Sequence, residues 1–260
     1  MSELLGPPLA LEAFLGCRRA APHLPNISDK GSATSIAISR RVLELLSLLD
    51  DPDDPSQRNL APVEGQRAGD ELERQVRKHL AVGLGVTCPH RLFSVRQPGQ
   101  KIWDFQQYAH LARLQQLIDE DETNVLAIAI GGDYTVDPDV TVGEPVDRFD
   151  LPLLHASVSC KLTLRSDRAQ NMRLEAAILV KHRKGRQPHI VAVTAEPLPT
   201  RLASLTQGTG DLDAVYHVSL PQLVQAVDEV GTSDQQRALE VMVGQERLLP
   251  FEDLVPNLSV

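Results

Sequence analysis

Residues 155–165 read HASVSCKLTLR, and the fold is decided by how this stretch is read. Ala156, Val158, Cys160, Leu162 and Leu164 share one face, while Ser157, Ser159, Lys161, Thr163 and Arg165 share the other, which is the two-residue period of a β-strand. Ser159 and Lys161 therefore point the same way. The polar pair Ser166-Asp167 is the expected N-cap of a helix running through about Lys181. Ile190 to Thr194 is the next strand, stopped by Pro197-Leu198-Pro199.

Upstream of this unit, Asn124 to Ile130 is a short aliphatic run ending at Gly131-Gly132, and Tyr134 to Val142 alternates around Pro138-Asp139. Together they read as strand, turn, strand. Earlier segments have helical spacing instead: Thr34 to Leu49 (Ile38, Val42, Leu45, Leu46, Leu49), Gly69 to Leu84 (Leu72, Val76, Leu80), and Trp103 to Ile118. The tract Asp50-Asp51-Pro52-Asp53-Asp54-Pro55 ends the first of these in a surface loop, since prolines and like charges cannot continue a helix. A strand near Ala214 to Val218 and a helix from Pro221 close the chain. The expectation is an α/β fold, a mixed sheet of four or five strands flanked by helices, over a single domain spanning 1–260.

Composition narrows the possible functions. The chain has 260 residues with 42% hydrophobic content, but only five Phe, three Tyr and one Trp, so the core is aliphatic and a base-stacking surface for single strands is poorly supplied. Cys17, Cys88 and Cys160 are an odd number without C-x-x-C spacing, which argues against a disulfide framework or a structural zinc site. The start of the chain lacks a charged region followed by an apolar run, and no stretch approaches about 18 apolar residues, so a cytoplasmic location with no membrane partner is expected. A formal charge of −9 argues against a protein that coats nucleic acid everywhere. One segment runs the other way: from Lys161 to Arg186 there are eight Lys or Arg residues and only two acidic ones, Asp167 and Glu175.

Hydrolysis of a phosphodiester needs a carboxylate-held divalent cation to activate water, and a positive group near the charge that develops on phosphorus. Asp139, Lys161 on a later strand and Glu175 on the following helix are candidates for these roles. By itself this is weak. Pro-Asp is common, a Ser-x-Lys strand usually just has a solvated face, and nucleases with an acid-x-Lys pattern carry a carboxylate where this chain has Ser159.

The stretch Leu153–Ala169 (LLHASVSCKLTLRSDRA) and its continuation to His217 resemble the NgoMIV family of type II restriction endonucleases, over some 65 nearly uninterrupted positions. Gly132-Asp133-Tyr134-Thr135 with Pro138-Asp139, Gln107 to Leu111, and Gly65-Gln66 with Leu72-Glu73 extend the resemblance over most of the chain. It implies a PD-(D/E)XK nuclease with a restriction-endonuclease-like core, in which the missing acid lies on the helix after the lysine strand, where Glu175 stands. Ser159 is then expected. By this resemblance Asp139, the carbonyl of Cys160 and Glu175 would ligate Mg²⁺, two ions per site. Lys161 would orient the attacking water, and Glu73 would complete the acidic site. Without the resemblance, an i,i+4 pair with Arg77 is the plainer reading of Glu73.

The resemblance also implies how double-stranded DNA is read. Arg165, Asp167 and Arg168 would read a central CCGG, since Arg donates two hydrogen bonds to guanine and Asp accepts one from cytosine. Asp29 and Arg201 would read the outer G·C pair and Gln66 would reach the minor groove, giving GCCGGC cut after the first G to leave a four-base 5′ extension. In an anonymous protein Asp167 would be an N-cap, its arginines solvated, Asp29 a turn residue and Arg201 a surface residue. A palindrome cut on both strands implies a homodimer in a prokaryotic restriction-modification system. The Asp139–Ser159 connection has 19 intervening residues and looks shortened where the family joins dimers, so a tetramer is left open. Gly31 stands where the family has serine, and Leu162 where it has tryptophan, for which repacking is expected. Two rivals keep the fold: a structure-specific nuclease and a catalytically silent DNA-binding protein.

Overall fold

A computed structural model describes residues 6–18, 20–49, 65–96, 99–131, 134–207 and 210–260. The acidic tract 50–55 and the Gly132-Asp133 pair lie outside the described residues. In chain order the elements are β1 (Cys17–Arg18), β2 (Ala21–Pro25), α1 (Ala33–Leu45), α2 (Gly65–Thr87), β3 (Ser94–Arg96), α3 (His110–Asp119), α4 (Val125–Ile130), β4 (Val140–Glu144), β5 (Leu153–Lys161), α5 (Ser166–His182), β6 (His189–Thr194), α6 (Pro199–Thr206), β7 (Ala214–His217), α7 (Leu220–Val230), α8 (Ser233–Gly244), β8 (Leu248–Pro250) and α9 (Leu254–Leu258). The expected α/β class is what the structure has, with one more strand than expected: β3 to β8 form a six-stranded mixed sheet in sequential order. β3, β4 and β5 pair antiparallel, whereas β5 through β8 pair parallel.

Parallel strands must bury both faces, and alternate residues of β6 feed two separate cores. Val191 and Val193 join Leu72, Val76 and Leu80 of α2 and Leu254 of α9, while Ile190 and Ala192 join Met172 and Leu179 of α5, Leu202 of α6 and Leu223 of α7. On β5, Ala156, Val158 and Cys160 face the α2 side as the alternation predicts. The polar side is covered too: Ser157 and Ser159 are buried. The alternation stops at Lys161, where the strand ends. Leu162 stays on the α2 side, on the apolar face expected for it, but Leu164 turns to the α5 side.

Several expected elements differ. Asn124 to Ile130 is no strand but the short helix α4, for which Asp121 accepts Leu126 N–H at 2.7 Å in the first turn. Alternating Leu, Ile and Ala suit a helix as well as a strand, and this run lies against α3 rather than joining the sheet. The single helix expected over Trp103 to Ile118 is broken at Phe105, whose backbone is extended. There the Gln107 side chain takes both backbone groups of Leu154, at 2.8 Å each. Tyr134 to Val142 becomes strand only from Val140. α8, β8 and α9 follow the helix that was expected to close the chain. α7 stops at Gly231, where a Cβ would lie 2.5 Å from the Val227 carbonyl.

Ser32 caps α1, accepting Ser35 N–H at 3.2 Å, and Ser35 Oγ in turn accepts Asp29 N–H at 2.9 Å. Replacing Ser32 with alanine is expected to cost about 1 kcal/mol of stability, measurable by urea unfolding. No change in the midpoint would show that the cap contributes nothing.

Candidate active site and reading face

Three segments meet where β4 begins and β5 ends. The antiparallel register sets Val140 opposite Val158, so Asp139 comes level with the last residues of β5. Its Oδ2 accepts Lys161 Nζ at 2.6 Å and Cys160 N–H at 2.8 Å. Ser159 lies two residues before Lys161 on the same face and is buried. From the α2 side comes Glu73, whose pKa is pushed up to about 7 by burial first and then by Asp139, with Lys161 opposing. It makes no ion pair with Arg77, whose Nε is buried without a partner. The plain i,i+4 reading of Glu73 is therefore not what the fold selects. From α5 comes Glu175, raised by burial, lowered by Lys161 and raised again by Asp139 and Asp137.

Burial alone would lower the pKa of Lys161, but Asp139 and Glu73 reverse this and hold it above its ordinary value. The lysine is a fixed cation among three carboxyl groups. Cys160 is fully buried and its thiol is pushed up by burial, so it stays protonated; only its backbone belongs to the site.

The donor set of Asp139, Glu73, Glu175 and the Cys160 carbonyl is all hard oxygen, which suits Mg²⁺ rather than zinc. Among the described residues, however, no three His, Cys, Asp or Glu side chains are gathered closely enough to hold an ion by themselves. Lys161 lies on the Asp139 oxygen, so the carboxylates stand near one another without converging on a point.

The neighbouring loops follow the carboxyl ends of parallel strands, where open α/β sheets commonly place their ligands. Arg165 to Arg168, after β5, is a run of four exposed residues. Arg165 is the N-cap of α5, and no side chain caps that helix, so the expected Ser166-Asp167 cap does not form. The extended backbone ends at Arg165, so Ser166 is already the first helical residue and cannot be the cap; Asp167 lies in the first turn, where a negative charge suits the helix dipole. Arg201, in the first turn of α6, hydrogen-bonds to Asp29 in the loop after β2. The N–H of Gly31 and then Arg201 hold the Asp29 carboxyl below its usual range.

A cavity of about 330 Å³ is lined by Arg18, Asp29, Lys30, Arg165, Arg168 and Arg201. Five cations on one concave surface concentrate positive potential on a protein of net charge −9. Arg18 and Lys30 were not legible in the sequence, because β1 and the loop after β2 reach this surface only through the tertiary fold. Arg18 Nε donates to the Pro25 carbonyl at 3.1 Å and braces that loop. Gln66 is exposed at the start of α2, seven residues before Glu73 and so on the same helical face.

A carboxylate-lysine cluster beside a cationic cleft at the strand ends has the make-up of a nuclease, and the comparisons place it within a class. The family model described as NgoMIV restriction enzyme matches residues 12–149 and 146–260. The type II restriction enzyme NgoMIV of Neisseria gonorrhoeae is 40% identical over 197 residues, which are 65% of this chain and 68% of that enzyme. The solved complex of restriction endonuclease PspGI with its substrate DNA is 12% identical and covers 87% of this chain and 92% of that one, at a TM-score of 0.27, an overlap too loose to carry weight. The chain is a type II, site-specific restriction endonuclease, a class that works on DNA with a divalent metal. It belongs to the NgoMIV restriction enzyme family. Among the described residues no helix is long and apolar enough to cross a membrane.

Proposed function

We propose that this protein is a Mg²⁺-dependent nuclease of the PD-(D/E)XK type. It would act as one domain over 1–260 and as a homodimer, and cut both strands of GCCGGC after the first G to leave a four-base 5′ extension. The observation that carries the reading is the Lys161–Asp139 contact at 2.6 Å, with Glu73 and Glu175 near enough to shift in response to both.

In this reading Asp139, Glu175 and the Cys160 carbonyl hold the cation, with Glu73 completing the acidic set. When bound, the metal stabilises charge on the phosphate and favours the ionised form of water. The chain's own groups do the rest. Lys161 keeps its proton and directs its N–H donors at the attacking water and the scissile phosphate. Asp139 holds that ammonium in place, and the buried Ser159 keeps bulk water from the strand face. Arg165, Asp167 and Arg168 read the central CCGG, Asp29 with Arg201 the outer G·C pair, and Gln66 the minor groove. A prokaryotic cytoplasm is the matching compartment.

The experiment is to map the cut ends of a sequenced plasmid at submillimolar and millimolar Mg²⁺, with a chelator control. Discrete fragments sharing one hexanucleotide end, and none with the metal removed, are expected. Ends without a common sequence would favour structure-specific cleavage. The separation of the carboxylates supports a second reading, a catalytically silent DNA-binding protein. Specific binding without cleavage at any Mg²⁺ level would establish it.

A further inference from the structure

Glu196 lies two residues beyond β6 and is completely buried. Burying a carboxylate is costly unless its oxygens are met, and here two different segments meet them. Oε2 accepts Leu164 N–H at 2.6 Å and Oε1 accepts Leu198 N–H at 3.1 Å. Arg201 Nη1 stands 4.0 Å from Oε2. The Glu196 backbone is pinned as well: its N–H donates to Thr194 Oγ1 at 3.1 Å, and its carbonyl lies 3.2 Å from His217 Nε2. His217 Nδ1 accepts Ser219 N–H, which assigns the ring proton to Nε2 and lets that nitrogen donate to Glu196.

Leu164 immediately precedes Arg165, and Leu198 is the N-cap of the helix that carries Arg201. A single carboxylate thus ties together the starts of the two segments assigned above to reading the DNA. We propose that Glu196 is a positioning residue for base discrimination, which sets Arg165 and Arg201 relative to each other without touching DNA. The proposal rests on the reading of those arginines given under the proposed function.

Only an ionised carboxylate suits this task. It offers lone pairs on both oxygens, so it can take N–H groups from two sides at once. Glutamine presents one acceptor and turns an NH₂ group on the other donor; aspartate is one methylene too short to span both. The groups facing Glu196 are Arg201 from α6, Asp29 from the loop after β2 and His217 from β7. Burial raises the Glu196 pKa to about 7, against the two N–H donors and Arg201. Burial likewise takes His217 down to about 4, so it stays neutral near pH 7, and Asp29 stays ionised. As pH falls through about 7, Glu196 gains a proton and one of the two N–H groups loses its acceptor. Stability runs the opposite way. The folded state holds this proton more tightly than the unfolded chain, so the group's contribution is complete below its ordinary value of 4.5 and lost as pH rises through about 7.

The test measures kcat/KM for a duplex carrying the mapped site and for one with a single G·C pair replaced, from about pH 6 to about pH 8.5, in wild type and Glu196→Gln. Thermal unfolding is followed on the same samples. The ratio of the two substrates cancels titration in the catalytic cluster, which acts on both duplexes alike. In wild type the ratio should fall roughly tenfold from the alkaline to the acid end, the effect of misplacing one base contact. In Glu196→Gln it should be roughly tenfold lower at alkaline pH and flat, with kcat on the mapped site nearly unchanged and the protein no less stable at that end. A wild-type ratio flat with pH overturns the positioning role, even if the variant fails to fold. So does a variant that keeps the wild-type ratio, or one that loses kcat and stability together while discriminating normally. A wild-type protein that cuts with no fixed site overturns the reading of the arginines and this role with it.

Discussion

Replacing Lys161 with alanine is expected to slow DNA cleavage on the order of 10³-fold or more, while the Kd for the recognition sequence changes only a few-fold. The ammonium is half-buried, keeps its proton, and sits 2.6 Å from the Asp139 carboxylate at the end of β5. Charge on the phosphate grows mainly on the way to the transition state, so a fixed cation there matters most to the rate. The same loss is expected for Asp139→Ala, with one added effect: Asp139 also accepts Cys160 N–H, and removing it leaves a part-buried donor unmatched. Asp139→Asn retains an acceptor for that N–H, so it separates lost chemistry from lost folding. Single-turnover cleavage and electrophoretic binding on the same variants check both halves. Wild-type rates in either alanine variant would remove these residues from the reaction.

Arg165→Ala and Asp167→Ala are expected to leave cleavage chemistry intact and to lose roughly 1 to 3 kcal/mol of discrimination per base contact, or about five- to 150-fold. Both side chains are exposed, in a run of four exposed residues, so their removal should barely disturb stability. Arg201 is a less clean probe, because its guanidinium is bonded to Asp29 and stands close to Glu196. The measurement is the cleavage rate on a set of duplexes, each with one base pair of the mapped site replaced. An unchanged order of preference in Arg165→Ala would put the reading face elsewhere.

How much was legible depended on the range of the interaction. The alternation through residues 156–161 marked the end of β5 that carries Lys161, because a strand sandwiched in a sheet imposes a two-residue period on its own sequence. The same rule failed at Leu164, since nothing local announces where a strand stops; its side chain crosses to the other core. The run 124–130 forms a helix where a strand is expected, because its composition fits either period and its packing against α3 is not written in neighbouring residues. Lys161 and Asp139 could be nominated from residue type, but their contact depends on the register of β4 against β5, set by side chains in both cores.

Sequence by itself settled the class of fold and, through its likeness to one family, the kind of enzyme, because strand and helix periods are written in neighbouring residues and a long match needs no coordinates. Tertiary structure alone decided that Glu73 turns from Arg77 toward Asp139 and Lys161, that Arg18 and Lys30 join the arginines in one cleft, and that Glu196 ties two distant loops together. Those outcomes depend on burial and on groups far apart in the chain, whose charges and hydrogen bonds take effect only once packing has excluded water and fixed their distances.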